Sequence, residues 1–285
     1  MQIKSDFATK LYSAKVFIHY SILIYIIKKS TEFVGVAKWS LLVFGAMQIV
    51  AIFSALHNAS HYALYGCKSI DKVIGRVLAA SLLTTFTGYQ IAHFRHHKEL
   101  RTKNDPQEVI FNSKYKAIQV LLLMFASLFG AAVWLWMRIP IVGIKSSLRN
   151  IVMLELTLGV MLWYLILKYV GDYGIAIFEV VSIAIVLGSL LDIAYHQGLP
   201  LAHKYKSLRS IDSDLFGLIF LFGDNRHAEH HLYPSVPGMR LSKLSALERA
   251  KLIDRGVSYE SGFLIALFKL IFQSPLFLPP GDKNE

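Results

Sequence analysis

Long apolar stretches separated by short polar ones dominate the chain. Runs at 16–27, 33–56, 73–92, 117–137, 151–170 and 174–195, with a weaker one at 262–279, are the candidate membrane spans. A helix needs about 20 mostly apolar residues to cross the hydrocarbon core. The first run is short, so Lys15, Lys28 and Lys29 must snorkel towards the headgroups. The run at 73–92 is broken by Arg76, Thr84, Thr85, Thr87 and Gln90, a pattern that suits a helix lying at the interface. Residues 151–170 and 174–195 read as a hairpin turned by Val170-Gly171-Asp172-Tyr173-Gly174, because Asp and Gly tolerate turn backbone.

Histidines decide which runs cross. His57 and His61 close the run at 33–56, and His93, His96 and His97 close the run at 73–92. If 73–92 crossed, the two clusters would face opposite sides and share nothing. Three further runs precede the last cluster at 227–231, so one of them should not cross. The hairpin keeps two, and 117–137, followed by Arg138 and Pro140, is predicted to lie in the membrane plane. The expected fold is all-α: a single integral membrane domain over 1–285, with about four transmembrane helices plus interfacial helices. Both termini and every histidine cluster are expected on the cytoplasmic side, which leaves Lys28 and Lys29 opposite. No small-residue cleavage site follows the first run, which is expected to remain as an anchor.

Composition supports a bilayer solvent. Hydrophobic residues make up 54% and charged residues 17%, against roughly 25% charged in soluble domains; mean hydropathy is +0.47. The net charge of +11 gathers at 10–15, 98–103, 114–116, 145–149, 204–209 and 240–255, between or after the apolar runs. On a soluble protein such clusters would suggest nucleic acid. Beside spans they fit cytoplasmic loops attracted to anionic membrane lipids, and no nucleic-acid partner is expected. One cysteine, Cys67, excludes an internal disulfide and a thiolate cluster, and a buried or interfacial thiol is expected there.

Eight of the eleven histidines fall in three boxes: His57-Asn-Ala-Ser-His61, His93-Phe-Arg-His96-His97 and His227-Ala-Glu-His230-His231. Residues three and four apart share a helix face, so each box aims its imidazoles one way. Neutral imidazole binds iron, zinc, copper and nickel. Eight ligands exceed what one ion uses, since a zinc site takes about four, and two metals are the natural reading. A pair of irons would suit O2 chemistry. His19 reads as a packed residue and His203 as a solvated one, while Glu155 and Glu179, on the two arms of the hairpin, read as structural, protonated or hydrogen-bonded between helices.

The order HxxxH, HxxHH, HxxHH between hydrophobic stretches resembles the membrane fatty-acid desaturases and their hydroxylase and ketolase relatives, most strongly over 33–245. Asp105-Pro106 after the second box and the segment Asn225–Pro237 around the third are similar to that family. The resemblance implies two non-haem irons held by His57, His61, His93, His96, His97, His227, His230 and His231, with His196 as a ninth ligand. Asp192 and Asn225 are expected behind the ligands, orienting an imidazole or a metal-bound water. It also implies an O2-dependent oxidoreductase acting on a lipid acyl chain, most simply a desaturase. A hydroxylase or ketolase acting on a lipid, carotenoid or other hydrophobic molecule is the alternative. A membrane zinc hydrolase or metal carrier is the distant one. No cytochrome or flavin segment is recognisable, so electrons are expected from a ferredoxin or a cytochrome b5-type carrier docking on the basic face.

Overall fold

A computed structural model describes residues 7–108 and 115–272. The placement of both termini, and residues 273–279 of the last apolar run, lie outside them. The described chain is helical apart from one small sheet. Its first helices are α1 (Phe7–Ser30), α2 (Gly35–Ser60), α3 (Lys68–Ser81), α4 (Phe86–Lys98) and α5 (Lys116–Val133). A wide turn at Trp134–Arg138 leads to α6 (Ile139–Ile144), then α7 (Arg149–Val170) and α8 (Gly174–His196). Beyond it lie β1 (Arg209–Ile211), α9 (Asp214–Phe220), α10 (His227–Leu232), α11 (Gly238–Asp254), β2 (Ser258–Glu260) and α12 (Phe263–Phe272).

Three stretches are long and apolar enough to cross a membrane: Gly35–Ser60, Val120–Ile144 and the 48-residue path Arg149–His196 through α7 and α8. Small residues let these helices approach closely. Gly45 of α2 meets both Ile26 of α1 and Val180 of α8, and His19 of α1 bonds Gln48 of α2 at 2.7 Å. α1 therefore runs antiparallel to α2, while α2 and α8 cross and both end at histidines. α5 runs antiparallel to α8: Ala126 packs on Ile193, and the Ala131 N–H donates to Ser189 Oγ at 2.9 Å.

Two expectations change here. Val120–Ile144 is a candidate span rather than an in-plane segment, because α5 shares the long axis of α8. The predicted hairpin does not form as a packed pair. The chain turns at Gly171 (φ +51°) as expected, but α2 and α5 already cover the sides of α8. α7 packs instead on α3, α4 and α6. Glu155 accordingly binds Arg76 Nε at 2.9 Å and accepts from the Thr87 N–H and Oγ1 at 2.8 Å each. This carboxylate caps the start of α4, where unsatisfied backbone donors favour negative charge. Glu179 pairs with Lys38 of α2 at 2.8 Å. Both acids are structural, though neither bridges α7 to α8. The run at 73–92 breaks at residues 82–85 into two helices of 14 and 13 residues, each too short to span. Cys67 is exposed rather than buried.

Past α8 the chain builds the support for the third box. β1 and β2 pair in parallel, Arg209 opposite Ser258 and Ile211 opposite Glu260; strands of three residues leave no periodic trace in a sequence. Two backbone segments cross tightly beneath α10. A Cβ on Gly223 (φ +92°) would lie 2.1 Å from the Gly238 oxygen, and one on Gly238 would lie 1.8 Å from the Phe222 oxygen. Gly238→Ala is therefore expected to destabilise the fold by roughly 3 kcal/mol, since neither backbone can yield cheaply. The check is thermal unfolding in detergent. An unchanged midpoint would show that the crossing is loose.

Candidate metal centre

Four helix ends deliver the histidines. His57 lies in the last turn of α2 and His61 terminates it; His196 is the final residue of α8; α4 and the short α10 carry three each. The structure gathers all nine predicted ligands into two groups. One holds His57, His61, His93, His97 and His230, the other His96, His196, His227 and His231. Within each group the offered nitrogens lie within 4.8 Å of one another. Every box contributes to the first group, and each HxxHH box divides its histidines between the two.

The nitrogens fit cations. In the first group, His93 Nε2 lies 2.8 Å from His57 Nε2 and 3.0 Å from His97 Nε2, with His230 Nε2 3.2 Å from His97. In the second, His227 Nε2 lies 3.0 Å from His196 Nε2 and 3.1 Å from His231 Nε2. An ion about 2.1 Å from two ligands at right angles would hold them about 3.0 Å apart. His61 Nε2 and His96 Nε2 are buried without any hydrogen-bond partner, as metal-facing lone pairs would be. Burial pushes His61 down to about 3, and it also lowers His93, His97, His227, His230 and His231, helped by the neighbouring imidazoles. Neutral rings are the ligating form.

Carboxylates set two of the ring orientations. His57 Nδ1 lies 2.7 Å from Asp224 Oδ2, and Asn58 Nδ2 donates to Asp224 Oδ1 at 3.0 Å. His96 Nδ1 meets both oxygens of Asp105, at 2.9 and 3.0 Å. An Nδ1–H given to a carboxylate fixes the tautomer and points the Nε2 lone pair at the metal. One group thus has Asp224 behind it and the other Asp105. Tyr89 stacks on His93 and Tyr195 on His227, at ring separations of 5.3 and 4.3 Å.

Of the two residues expected behind the ligands, Asp192 lies within electrostatic reach of His96, and Asn225 lies on the loop before α10. Asp192 accepts from Gln107 Nε2 and makes no hydrogen bond to a histidine. Asn225 donates to the Ile211 carbonyl at 3.0 Å and lies under Gly217, so it shapes the loop beside β1. Sequence reading missed Asp224 although it adjoins Asn225, and it noticed Asp105 only as part of a motif. The available signal was an acid within a few residues of a box, on a loop free to fold back. His19 is buried against Gln48, and exposed His203 accepts from the Tyr205 and Lys206 amides, as expected of each. Glu229, inside the third box, faces away from both groups towards Ser210 and Tyr259.

Comparison with protein families matches residues 35–263 to the fatty acid desaturase family. No curated protein matches. The matched stretch holds all nine histidines, Asp105 and Asp224. With apolar helices ending at two all-histidine groups, the chain belongs to the fatty acid desaturase family, a family of membrane non-haem diiron oxidoreductases.

Proposed function

We propose that this enzyme desaturates a lipid acyl chain with O2 at a centre of two irons. The observation that carries this reading is the pair of all-histidine groups inside a desaturase-family match. Bound irons would supply the oxidising power for an unactivated C–H bond, which no side chain offers. His57, His61, His93, His97 and His230 would hold one ion, and His96, His196, His227 and His231 the other. Asp224 and Asp105 keep His57 and His96 in the ligating tautomer. Tyr89, only 2% exposed, stacks on His93 and covers that side of the first group.

In the arrangement we favour, α1, α2, α5 and α8 cross the membrane and the histidine ends face the cytoplasm, under the positive-inside rule. Electrons would arrive from a separate acidic carrier of the ferredoxin or cytochrome b5 type. Its landing surface would be the basic rim where Lys204 and Arg255 lie over Tyr205, which packs near Leu100 beyond the second box. The HxxxH form of the first box is more like that of acyl-lipid desaturases and ketolases than that of acyl-CoA enzymes.

Expression in a host of defined lipid composition, followed by fatty-acid analysis with and without oxygen, tests the reaction. The expected result is an acyl chain lacking two hydrogens, formed only with oxygen. An added hydroxyl or keto oxygen would replace desaturase by hydroxylase or ketolase on the same scaffold.

A further inference from the structure

The histidine of α8, like His97 and His227, lacks the Nδ1 partner that His57 and His96 have. His57 and His96 each lean on a carboxylate through Nδ1, whereas His196 Nδ1 is buried with no hydrogen-bond partner. It is also the last helical residue of α8, where intrahelical carbonyl partners run out. Buried Arg209 takes one of those carbonyls, donating from Nη1 to the Ala194 oxygen at 2.6 Å, and the chain just past His196 is held from elsewhere.

Arg101 is placed to hold it. Its backbone takes φ +58°, a left-handed bend that turns the chain back after α4 and carries the side chain inward. The residue is only 2% exposed. Its guanidinium donates to Gln197 Oε1 at 2.9 Å and to the Leu199 carbonyl at 3.1 Å, directly after His196. Glu108 Oε2, 2.8 Å from Nη1, balances the buried charge. The Arg101 backbone N–H, meanwhile, donates to Asp105 Oδ2 at 3.0 Å, the same oxygen that meets His96. One residue thus grips the carboxylate behind His96 with its main chain and the chain leaving His196 with its side chain.

We infer that Arg101 is the positioning residue of the second histidine group, locking His96 and His196 into one geometry. This rests on the two-iron reading above. The planar fork is essential, because a lysine offers a point charge that cannot reach two acceptors in fixed directions. The first histidine group makes no contact with Arg101 and should not depend on it.

Two variants of the full-length protein in detergent test this: Arg101→Lys, which keeps a cation opposite Glu108, and Arg101→Gln with Glu108→Gln, which removes both charges together. Each protein is reconstituted anaerobically with ferrous iron, and iron release to a chelator is followed in time. The expected result is biphasic release in both variants. One ion should leave roughly 10- to 100-fold faster than from the parent, the usual cost of losing outer support, and the other at the parent rate. Release of both ions at the parent rate overturns the inference. So does equal acceleration of both, which would make Arg101 a general prop of the fold. A parent protein that never takes up two irons would overturn the diiron reading itself, and the inference with it.

Discussion

Replacing His231 with alanine is expected to abolish product formation and to remove one metal ion while leaving the other. His231 belongs only to the group of four, where its Nε2 lies 3.1 Å from that of His227. Removing it leaves three imidazoles, fewer than the four ligands that hold a structural zinc closed. His61→Ala should be milder in metal retention, since four of five histidines remain in its group. The two variants should differ in iron content more than in activity, because a two-metal site fails as a unit. Metal analysis beside lipid profiling checks both. Equal loss of both ions from either variant would mean that the two groups form one undivided site.

Removing the carboxylates is expected to weaken metal binding one group at a time. Asp224→Asn should lower affinity at the His57 group, and Asp105→Asn at the His96 group, each by roughly 10- to 100-fold. An amide can present its NH2 to the ring and favour the wrong tautomer. At position 105 the alanine and asparagine variants should differ in stability. Asp105 also accepts from the backbone N–H groups of Arg101 and Gln107, at 3.0 and 2.9 Å. Asp105→Ala leaves both donors stranded, at about 1–3 kcal/mol each, whereas Asp105→Asn keeps one acceptor for them. The check is competitive chelation alongside thermal unfolding. Equal affinities for parent and Asn variants would show that the carboxylates do not govern the rings.

The ligand set was legible in the sequence and its wiring was not. Helical spacing predicts that His93 and His97, or His227 and His231, project together. It does not predict that α4 splits its three histidines between two groups, with His96 in one and His93 and His97 in the other. That division depends on how α4, α8 and α10 meet. His196 stands alone, and only the family resemblance pointed to it. The hydrogen-bond partners of the acids were not legible for a related reason. Asp192 is four residues before His196, so helical spacing puts both on one face, yet Gln107 reaches it first. Asp224 and Asp105 sit on loops, where no period says which way a side chain turns.

Apolar runs located most helices but misled about their partners. A mostly apolar helix such as α7 carries little stripe to mark its buried side, and Glu155, which meets α3 and the start of α4, was its clearest mark. The small residues Gly45, Gly130, Ala131 and Gly188 record where α2 and α5 approach their neighbours. Spacing alone did not assign them to a contact.

The most direct test of the central claim is the iron and zinc content of the detergent-purified protein, taken with a Mössbauer spectrum after anaerobic loading with ferrous iron. Two irons per chain in nitrogen-rich environments, lost in the His96→Ala, His230→Ala double variant, are the predicted result. A single zinc, with no iron uptake even after reconstitution, would contradict the account.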